Sequence, residues 1–200
     1  VVGDRIFVSK YTYGYSKHSF PFSPNLTNDR FFSKPPKRGD LIVFKTPADN
    51  RTDYIKRLIG MPGERIQFIN GELLINGQKI LRKKIKNEQK IRCGNYLLET
   101  NTYLETLPGG LEHLVAYKKK GSLQNTKEFL VPQNHFFLLG DNRDCSKDSR
   151  YLDSVGYVNS LNLVGEAKLI FFSNDTNISS LLKLWNIGKS FRRDRFFKKL

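Results

Sequence analysis

A lysine lies inside a run of residues that otherwise has the character of a buried β-strand. In DYIKRLIG, residues 53–60, Tyr54, Lys56 and Leu58 alternate with their neighbours and project from one face of the predicted strand. An ammonium group held between apolar side chains is desolvated, which lowers its pKa and lets the neutral amine act as a general base. The alternative is an edge-strand lysine that extends its amine into water.

The second candidate for chemistry is GDNRDCSKDSR, residues 140–150, here called the 140–150 loop. It directly follows the apolar segment HFFLL at 135–139. Polar side chains packed this densely are expected to hydrogen-bond to one another, and a Ser or Asp among them could hold the amine of Lys56 in place. A calcium loop is set aside because the Gly at position six and the Glu at position twelve of an EF-hand are missing.

Short strand-like runs separated by Gly, Pro, Asn and Asp must position these residues, so we predict a mainly β fold without a repeat. LIVFK at 41–45 is an apolar run of the kind buried on both faces, and it pairs with 53–59 as a hairpin. Asn-Gly at 70–71 and at 76–77 predicts two successive tight hairpins. Further strand character is found at 5–14, 128–132, 135–139 and 163–172.

The remaining segments are less regular. Residues 16–37 predict an extended loop, and residues 99–121 are polar with a turn at 108–110. The basic segment 82–92 predicts a solvated strand edge or loop protected by lysines rather than a specific binding patch. The tail from 179 onward predicts a short basic amphipathic helix interrupted at Gly188.

Composition bounds the function only loosely. The formal net charge of +15 suggests an anionic partner, such as nucleic acid or a lipid surface. The two cysteines, Cys93 and Cys145, lie far apart in sequence without metal-ligand spacing, so neither a zinc site nor a disulfide framework is indicated. No run approaches about 18 apolar residues, so no transmembrane helix is predicted. The first residues, VVGD, lack an initiator Met, and we expect an upstream portion to be missing.

The sequence resembles bacterial signal peptidase I, a family of membrane-bound serine endopeptidases that remove signal peptides from exported preproteins. The resemblance covers nearly all of residues 1–175. Within 67–131 it is only general. Three segments carry it: VVGDRIFVSKYTYG (1–14), KRGDLIVFKTPADNRTDYIKRLIGMPGERI (37–66) and GDNRDCSKDSRYLDSVGYV (140–158).

By position, the resemblance implies that Lys56 is the general base of a Ser-Lys dyad and that Ser146 hydrogen-bonds to the lysine and orients it. It implies a supporting network in the same loop, formed by Asp141, Arg143, Asp148 and Arg150. Cys145 departs from the family, which most often has Asn there. As a lone thiol beside a base it could be mistaken for a nucleophile.

The family's serine nucleophile lies in a Ser-Met-x-Pro-Thr type motif that falls just before residue 1. We therefore expect the chain as given to lack its nucleophile and oxyanion-hole donors, and to be inactive. No metal or cofactor is implied.

The family binds the cleavage region of a signal peptide as an extended strand, with shallow pockets that select small residues in an A-x-A pattern. The positions that resemble the pocket lining are Ile6, Val43, Asp53, Tyr54 and Ile55. The family also implies an anchor in the missing upstream segment and a catalytic domain on the outer face of the cytoplasmic membrane. The exposed aromatics of 16–37 and the basic tail could then lie on anionic lipid headgroups.

The resemblance implies a signal-peptidase-like coiled β-sheet fold. Its catalytic core is discontinuous, 1–66 plus 132–176, with a variable β-rich insertion at 67–131, little helix and a tail at 177–200. Two other functions remain open on the residues. One is a basic β-rich nucleic-acid-binding module, although no RNP-like motif occurs. The other is a self-cleaving repressor-type peptidase, which also uses a Ser-Lys dyad but lacks this arrangement of motifs.

Overall fold

Antiparallel β-strands dominate the structure. The computed structural model describes residues 3–19, 29–118, 125–173, 195 and 197–200, without the side chains of residues 19, 87 and 88. The helical elements named among these residues are short 3₁₀ turns at Lys17–Ser19, Arg143–Cys145 and Ser160–Asn162. The strands are β1 (Asp4–Ser9), β2 (Leu41–Lys45), β3 (Asp53–Gly60), β4 (Arg65–Ile69), β5 (Glu72–Ile75), β6 (Gln78–Lys79), β7 (Leu81–Cys93), β8 (Tyr96–Thr106), β9 (Glu112–Lys118), β10 (Phe129–Leu130), β11 (His135–Leu139), β12 (Val158–Asn159), β13 (Leu163–Ser173) and β14 (Lys198–Lys199). The predicted mainly β class is confirmed.

The main sheet has seven strands in the order β1-β13-β2-β3-β11-β12, with β14 also paired to β13. β2 and β3 form the predicted hairpin, in which Ile42 pairs with Lys56. β11 lies on the other side of β3 and pairs Leu138 with Leu58 and Leu139 with Arg57. β3 is therefore paired on both sides from Arg57 onward, whereas Lys56 is paired only to β2. The edge-strand interpretation agrees with this pairing, but the side chain is partly buried rather than extended into water.

The core lies on both faces of the main sheet around β3 and β11. Leu58 and Leu138 belong to one apolar cluster, which also contains Ile42 and Phe44. Ile59 and Phe137 project from the opposite face into a second cluster, formed with β4, β5 and β10. Burial on both faces explains why HFFLL is an unbroken apolar run.

Two smaller sheets lie between the halves of the main sheet in sequence. One has the order β10-β4-β5-β6, and the other is the meander β7-β8-β9. Positive φ values at both Asn-Gly pairs, 70–71 and 76–77, confirm the predicted tight turns. The basic segment 82–92 lies in β7, an edge strand of the meander, where lysines discourage further strand pairing.

Several predicted elements differ from the structure. In β2 only Ile42 and Phe44 are fully buried, so LIVFK is not buried equally on both faces. The predicted strand 5–14 ends at Ser9 in a turn. The polar stretch 99–121 contains most of β8 and all of β9.

Other expectations stay predictions. Most of the predicted tail helix and much of the 16–37 loop lie outside the described residues. Among the residues that the structure does describe, none forms a helix long and apolar enough to cross a membrane. The division into core, 67–131 insertion and tail remains a prediction, supported by the main sheet drawing its strands from both sides of β4–β10.

Candidate active site

Lys56 lies on the face of β3 that carries Leu58, which packs into the cluster with Ile42 and Phe44. Directly paired residues of an antiparallel sheet project from the same face, and its partner Ile42 is fully buried, as is its neighbour Leu58. Lys56 itself is partly buried, and its Nζ lies 5.1 Å from the ring centroid of Tyr54. The shared face of Tyr54, Lys56 and Leu58 agrees with the alternation in the sequence.

Burial is the main influence on the amine of Lys56, and it lowers the pKa below the ordinary value of 10.5. The carboxylates of Asp148 and Asp141 oppose the shift, because negative charge favours the ammonium form, whereas Arg150 adds to it. All three charged groups come from the 140–150 loop. The net shift favours the neutral amine that a general base requires.

Ser146 is held close to the end of β11. The β3–β11 register ends at Leu139 and Arg57, the residues that directly adjoin Gly140 and Lys56 in their own strands. A Cβ on Gly140 would lie only 2.1 Å from the Ser146 Oγ, so the hydroxyl occupies the space that a side chain at 140 would fill. This Oγ is buried and has no hydrogen-bond partner among the described residues. The hydrogen bond from Ser146 to Lys56 that the family resemblance implies is therefore not formed.

The far end of the loop is anchored to β11 by buried groups. Ser149 exchanges two hydrogen bonds with the main chain of Leu138: its Oγ accepts from the Leu138 N–H at 2.9 Å, and its own N–H donates to the Leu138 carbonyl at 3.0 Å. Asp148 accepts from the Gly140 N–H at 3.1 Å and forms an ion pair with Arg150 at 2.8 Å. Arg150 also donates to the carbonyl oxygen of Arg143.

Asp141 is held by a residue that the sequence did not single out. Arg57 donates two hydrogen bonds of 2.8 Å to the Asp141 carboxylate and a third to the Gly39 carbonyl. The Asp141 main-chain oxygen accepts from the Ala116 N–H of β9 at 2.8 Å. Arg57 follows Lys56 directly, so β3 supplies the candidate base from one face and a loop anchor from the other.

Arg143 has a partner that sequence reasoning also missed. Its guanidinium is fully buried and pairs with Glu105 of β8, which is only 1% exposed. The hydroxyl of Tyr117 lies 2.5 Å from the same guanidinium. Glu105 lies in the polar stretch 99–121, whose sequence does not indicate a strand, although the structure has β8 there. The sequence therefore contains no signal that Glu105 is the partner of Arg143.

No disulfide was indicated by the sequence, and the expectation that Cys145 is a lone thiol is wrong. Cys93 and Cys145 form a disulfide with a Cα–Cα distance of 5.7 Å across a sequence separation of 52. Separation along the chain does not determine distance in space: the β7–β8 hairpin brings its tip against the 140–150 loop. Cys145 is therefore not a lone thiol, and no free cysteine remains.

Four of the five expected pocket residues lie together on the β2–β3 hairpin. Val43 pairs directly with Ile55, and alternation places both on the opposite face from Lys56. Ile6 is on β1, from which the other residues are separated by β13.

The other two pocket candidates already have partners. Tyr54 packs edge-on against Phe44, with ring centroids 6.3 Å apart. Asp53 forms a salt bridge of 2.9 Å with Lys45.

Beyond Arg57, β3 extends past the end of β11. The pairing of the two strands stops at Arg57 and Leu139, while residues 53–56 continue the strand. Within the described part of the chain, the main chain of these residues is paired to β2 on one side only. This free edge runs alongside Lys56.

Comparison with known proteins agrees with the motifs. The family described as "Signal peptidase, peptidase S26" matches residues 1–172. Signal peptidase I of Rickettsia typhi is 40% identical over 98% of this chain and 79% of its own length. Signal peptidase I of Rickettsia bellii is 37% identical over 98% of this chain and 72% of its own length. The crystal structure of a signal peptidase I from Enterococcus faecalis covers 66% of this chain and 97% of its own, with 27% identity and a TM-score of 0.39.

The chain belongs to the signal peptidase family, peptidase S26, and within it to the signal peptidase I type. It is a hydrolase, a serine endopeptidase that removes N-terminal signal peptides from exported preproteins. Nothing in these relationships supports the nucleic-acid-binding alternative.

Proposed function

We propose that Lys56 is the general base of this peptidase and that Ser146 orients it. The single observation that carries the proposal is the position of the amine, which is partly buried on the side of β3 that carries Leu58 and is influenced by the charged groups of the 140–150 loop. Neutral Lys56 takes the proton of the family's serine nucleophile, which the resemblance places ahead of Val1, as the hydroxyl attacks the scissile carbonyl. It then returns that proton to the leaving amine.

Two observations support the role of Ser146. Its Oγ is buried without a partner in the described residues, and an unsatisfied buried hydroxyl is costly unless a ligand or a catalytic group completes it. The close approach to Gly140 keeps the hydroxyl beside the segment that lies next to Lys56. Catalytic hydrogen bonds are often long in unliganded enzymes and shorten in the substrate complex.

Four of the charged residues of the loop have a supporting role in this proposal. Asp148 and Arg150 close the loop on itself, whereas Asp141 and Arg143 fasten it to Arg57 and Glu105. Rigid support matters because a catalytic group displaced by about 1 Å can lose roughly 100-fold in rate.

Substrate binding follows from the free edge of β3. An extended signal peptide can add as a strand beside residues 53–56, with main-chain hydrogen bonds for affinity and pockets for alternate side chains. Val43 and Ile55 offer a small apolar patch on one face of this hairpin, while Tyr54 closes the other. In this proposal Asp53, Tyr54 and Ile55 select small residues at the cleavage site together with Val43, whereas the part predicted for Ile6 has less support because β13 lies between β1 and the hairpin.

The test is cleavage of a preprotein by the complete enzyme and by its Lys56→Ala and Lys56→Arg variants. Both variants should lose at least roughly 100-fold in kcat, because alanine has no basic group and arginine does not deprotonate. Lys79→Ala, which removes an exposed lysine of β6, is the matched control and should keep full activity. Full activity of folded Lys56→Ala would overturn the assignment.

We also propose that the catalytic domain lies on the outer face of the cytoplasmic membrane, against its lipid surface. The disulfide supports this side, because disulfides persist in oxidising compartments and are rare in the cytosol. The net charge of +15 favours anionic headgroups. Protease added to intact spheroplasts should digest the domain, and protection until lysis would contradict this orientation.

A further inference from the structure

The Cys93–Cys145 disulfide joins the tip of the β7–β8 hairpin to the residue next to Ser146. Cys93 is the last residue of β7, and β8 begins at Tyr96. We propose that this disulfide is a positioning element of the catalytic site, because it holds Ser146 in place over Gly140 and keeps the loop closed beside Lys56. The inference rests on the proposed roles of Lys56 and Ser146.

The loop is anchored strongly on either side of Ser146. Before it, Asp141 pairs with Arg57, Arg143 pairs with Glu105, and the Asp144 carboxylate accepts from the main-chain N–H of Lys118 at 2.7 Å. After it, residues 148–150 are buried and bonded to β11 and to the loop itself.

The residues between these anchors have few bonds. Lys147 is exposed, and the Cys145 N–H donates only within the loop, to the Asn142 carbonyl at 3.3 Å. Ser146 Oγ has no partner among the described residues. Within the described chain, the disulfide is the one bond that joins residues 145–147 to another strand. The position of Ser146 therefore depends on the sulfur bridge of its neighbour.

The disulfide also affects the pKa of Lys56. The groups that face Lys56 are Asp141, Asp148 and Arg150 from the loop, the Tyr54 ring from its own strand and the apolar side chain of Ile42 from β2. Without the disulfide, residues 145–147 are released and water reaches the surroundings of Lys56. The amine is then less desolvated, which raises its pKa. The rate requires the neutral amine, so the ascending limb of the pH–rate profile then moves to higher pH.

The experiment measures kcat and KM of the complete enzyme in detergent on a preprotein across a pH series. It compares the oxidised enzyme, the Cys93→Ser/Cys145→Ser variant, and enzyme treated with dithiothreitol. The dithiol supplies two electrons and two protons, giving two protein thiols and its own cyclic disulfide. We expect kcat at neutral pH to fall roughly tenfold in both disulfide-free forms, with KM nearly unchanged and recovery at alkaline pH.

Leu98→Ala is the control, because it weakens β8 inside the same hairpin without cutting the link. It should leave the pH profile in place, and dithiothreitol should have no effect on the double variant. An unchanged profile after reduction, or an equal loss at every pH in Leu98→Ala and the double variant, would overturn the inference. If the double variant does not fold, reduction of the already folded enzyme, checked by circular dichroism, decides.

The two proposals fail differently. Activity in folded Lys56→Ala removes the base assignment itself. An inactive Lys56→Ala together with an unchanged profile after reduction removes only the role of the disulfide.

Discussion

The 140–150 loop lies next to two regions in which cationic side chains have different surroundings. On the support side, the buried guanidiniums of Arg143 and Arg150 have carboxylate partners in Glu105 and Asp148. On the other side, burial beside Ile42 and the Tyr54 ring lowers the pKa of Lys56, and the charges of Asp148 and Asp141 offset this only in part. A carboxylate in direct contact with the amine would stabilise the ammonium form further and raise its pKa. The buried guanidiniums of the support are thus paired with carboxylates, whereas the desolvation of the amine is not fully compensated.

The largest expected effect comes from breaking the buried support. Arg143→Met leaves the Glu105 carboxylate buried without its partner, which we expect to lower the free energy of unfolding by about 3 to 5 kcal/mol. Urea unfolding followed by circular dichroism measures this. The double variant Arg143→Met/Glu105→Met removes both charges and should recover part of the loss.

The exposed pair Arg65–Glu128 provides the matched comparison. Arg65→Met should cost less than about 1 kcal/mol, because both partners remain hydrated. Equal costs at the buried and exposed pairs would mean that burial does not distinguish the support, and the contrast between the two regions would fail.

The next effect concerns pH. His113, only 6% exposed, lies 3.4 Å from Glu105, and burial, with help from the charge of Arg57, lowers its pKa from 6.5 to about 4. The imidazole is therefore neutral near neutrality. As pH falls from about 6.5 to about 4, the unfolded chain takes up a proton that the folded chain does not, so stability should fall by up to about 3 kcal/mol.

His113→Leu isolates this contribution, since leucine is apolar and does not titrate. The difference in unfolding free energy between the protein and the variant should change across this pH interval and stay constant above it. A difference that is flat from pH 4 to pH 7 would show that His113 titrates alike in the folded and unfolded chain.

Elements with a local signal were predictable. Alternation and apolar runs identified β2, β3 and β11, and the Asn-Gly pairs identified both tight hairpins. The placement of Lys56 on a core-facing side also followed from alternation, because the period of a strand fixes which residues share a face.

Strands β8 and β9 of the meander were missed for a physical reason. Their buried positions include the polar residues Thr100, Asn101, Glu105 and His113. A strand whose inner face is polar gives no hydrophobic alternation, so 99–121 resembles a loop until its partners are known. For the same reason, the partner of Arg143 could not be named from sequence.

The disulfide and the Arg57–Asp141 pair were also beyond sequence reasoning. Both join residues that are distant in the chain, and only the assembled sheets bring them together. The family's usual Asn at position 145 gave no indication that a cysteine there would find Cys93.

Gly140 ties the identity of two positions together. The Ser146 hydroxyl fills the volume that any larger residue at 140 would need. In a library randomised at both positions, survivors that carry a side chain at 140 should have only glycine at 146, since the Cβ of Ser146 also lies within 2.4 Å of that space. A serine hydroxyl at position 146 of the candidate active site therefore requires glycine at position 140.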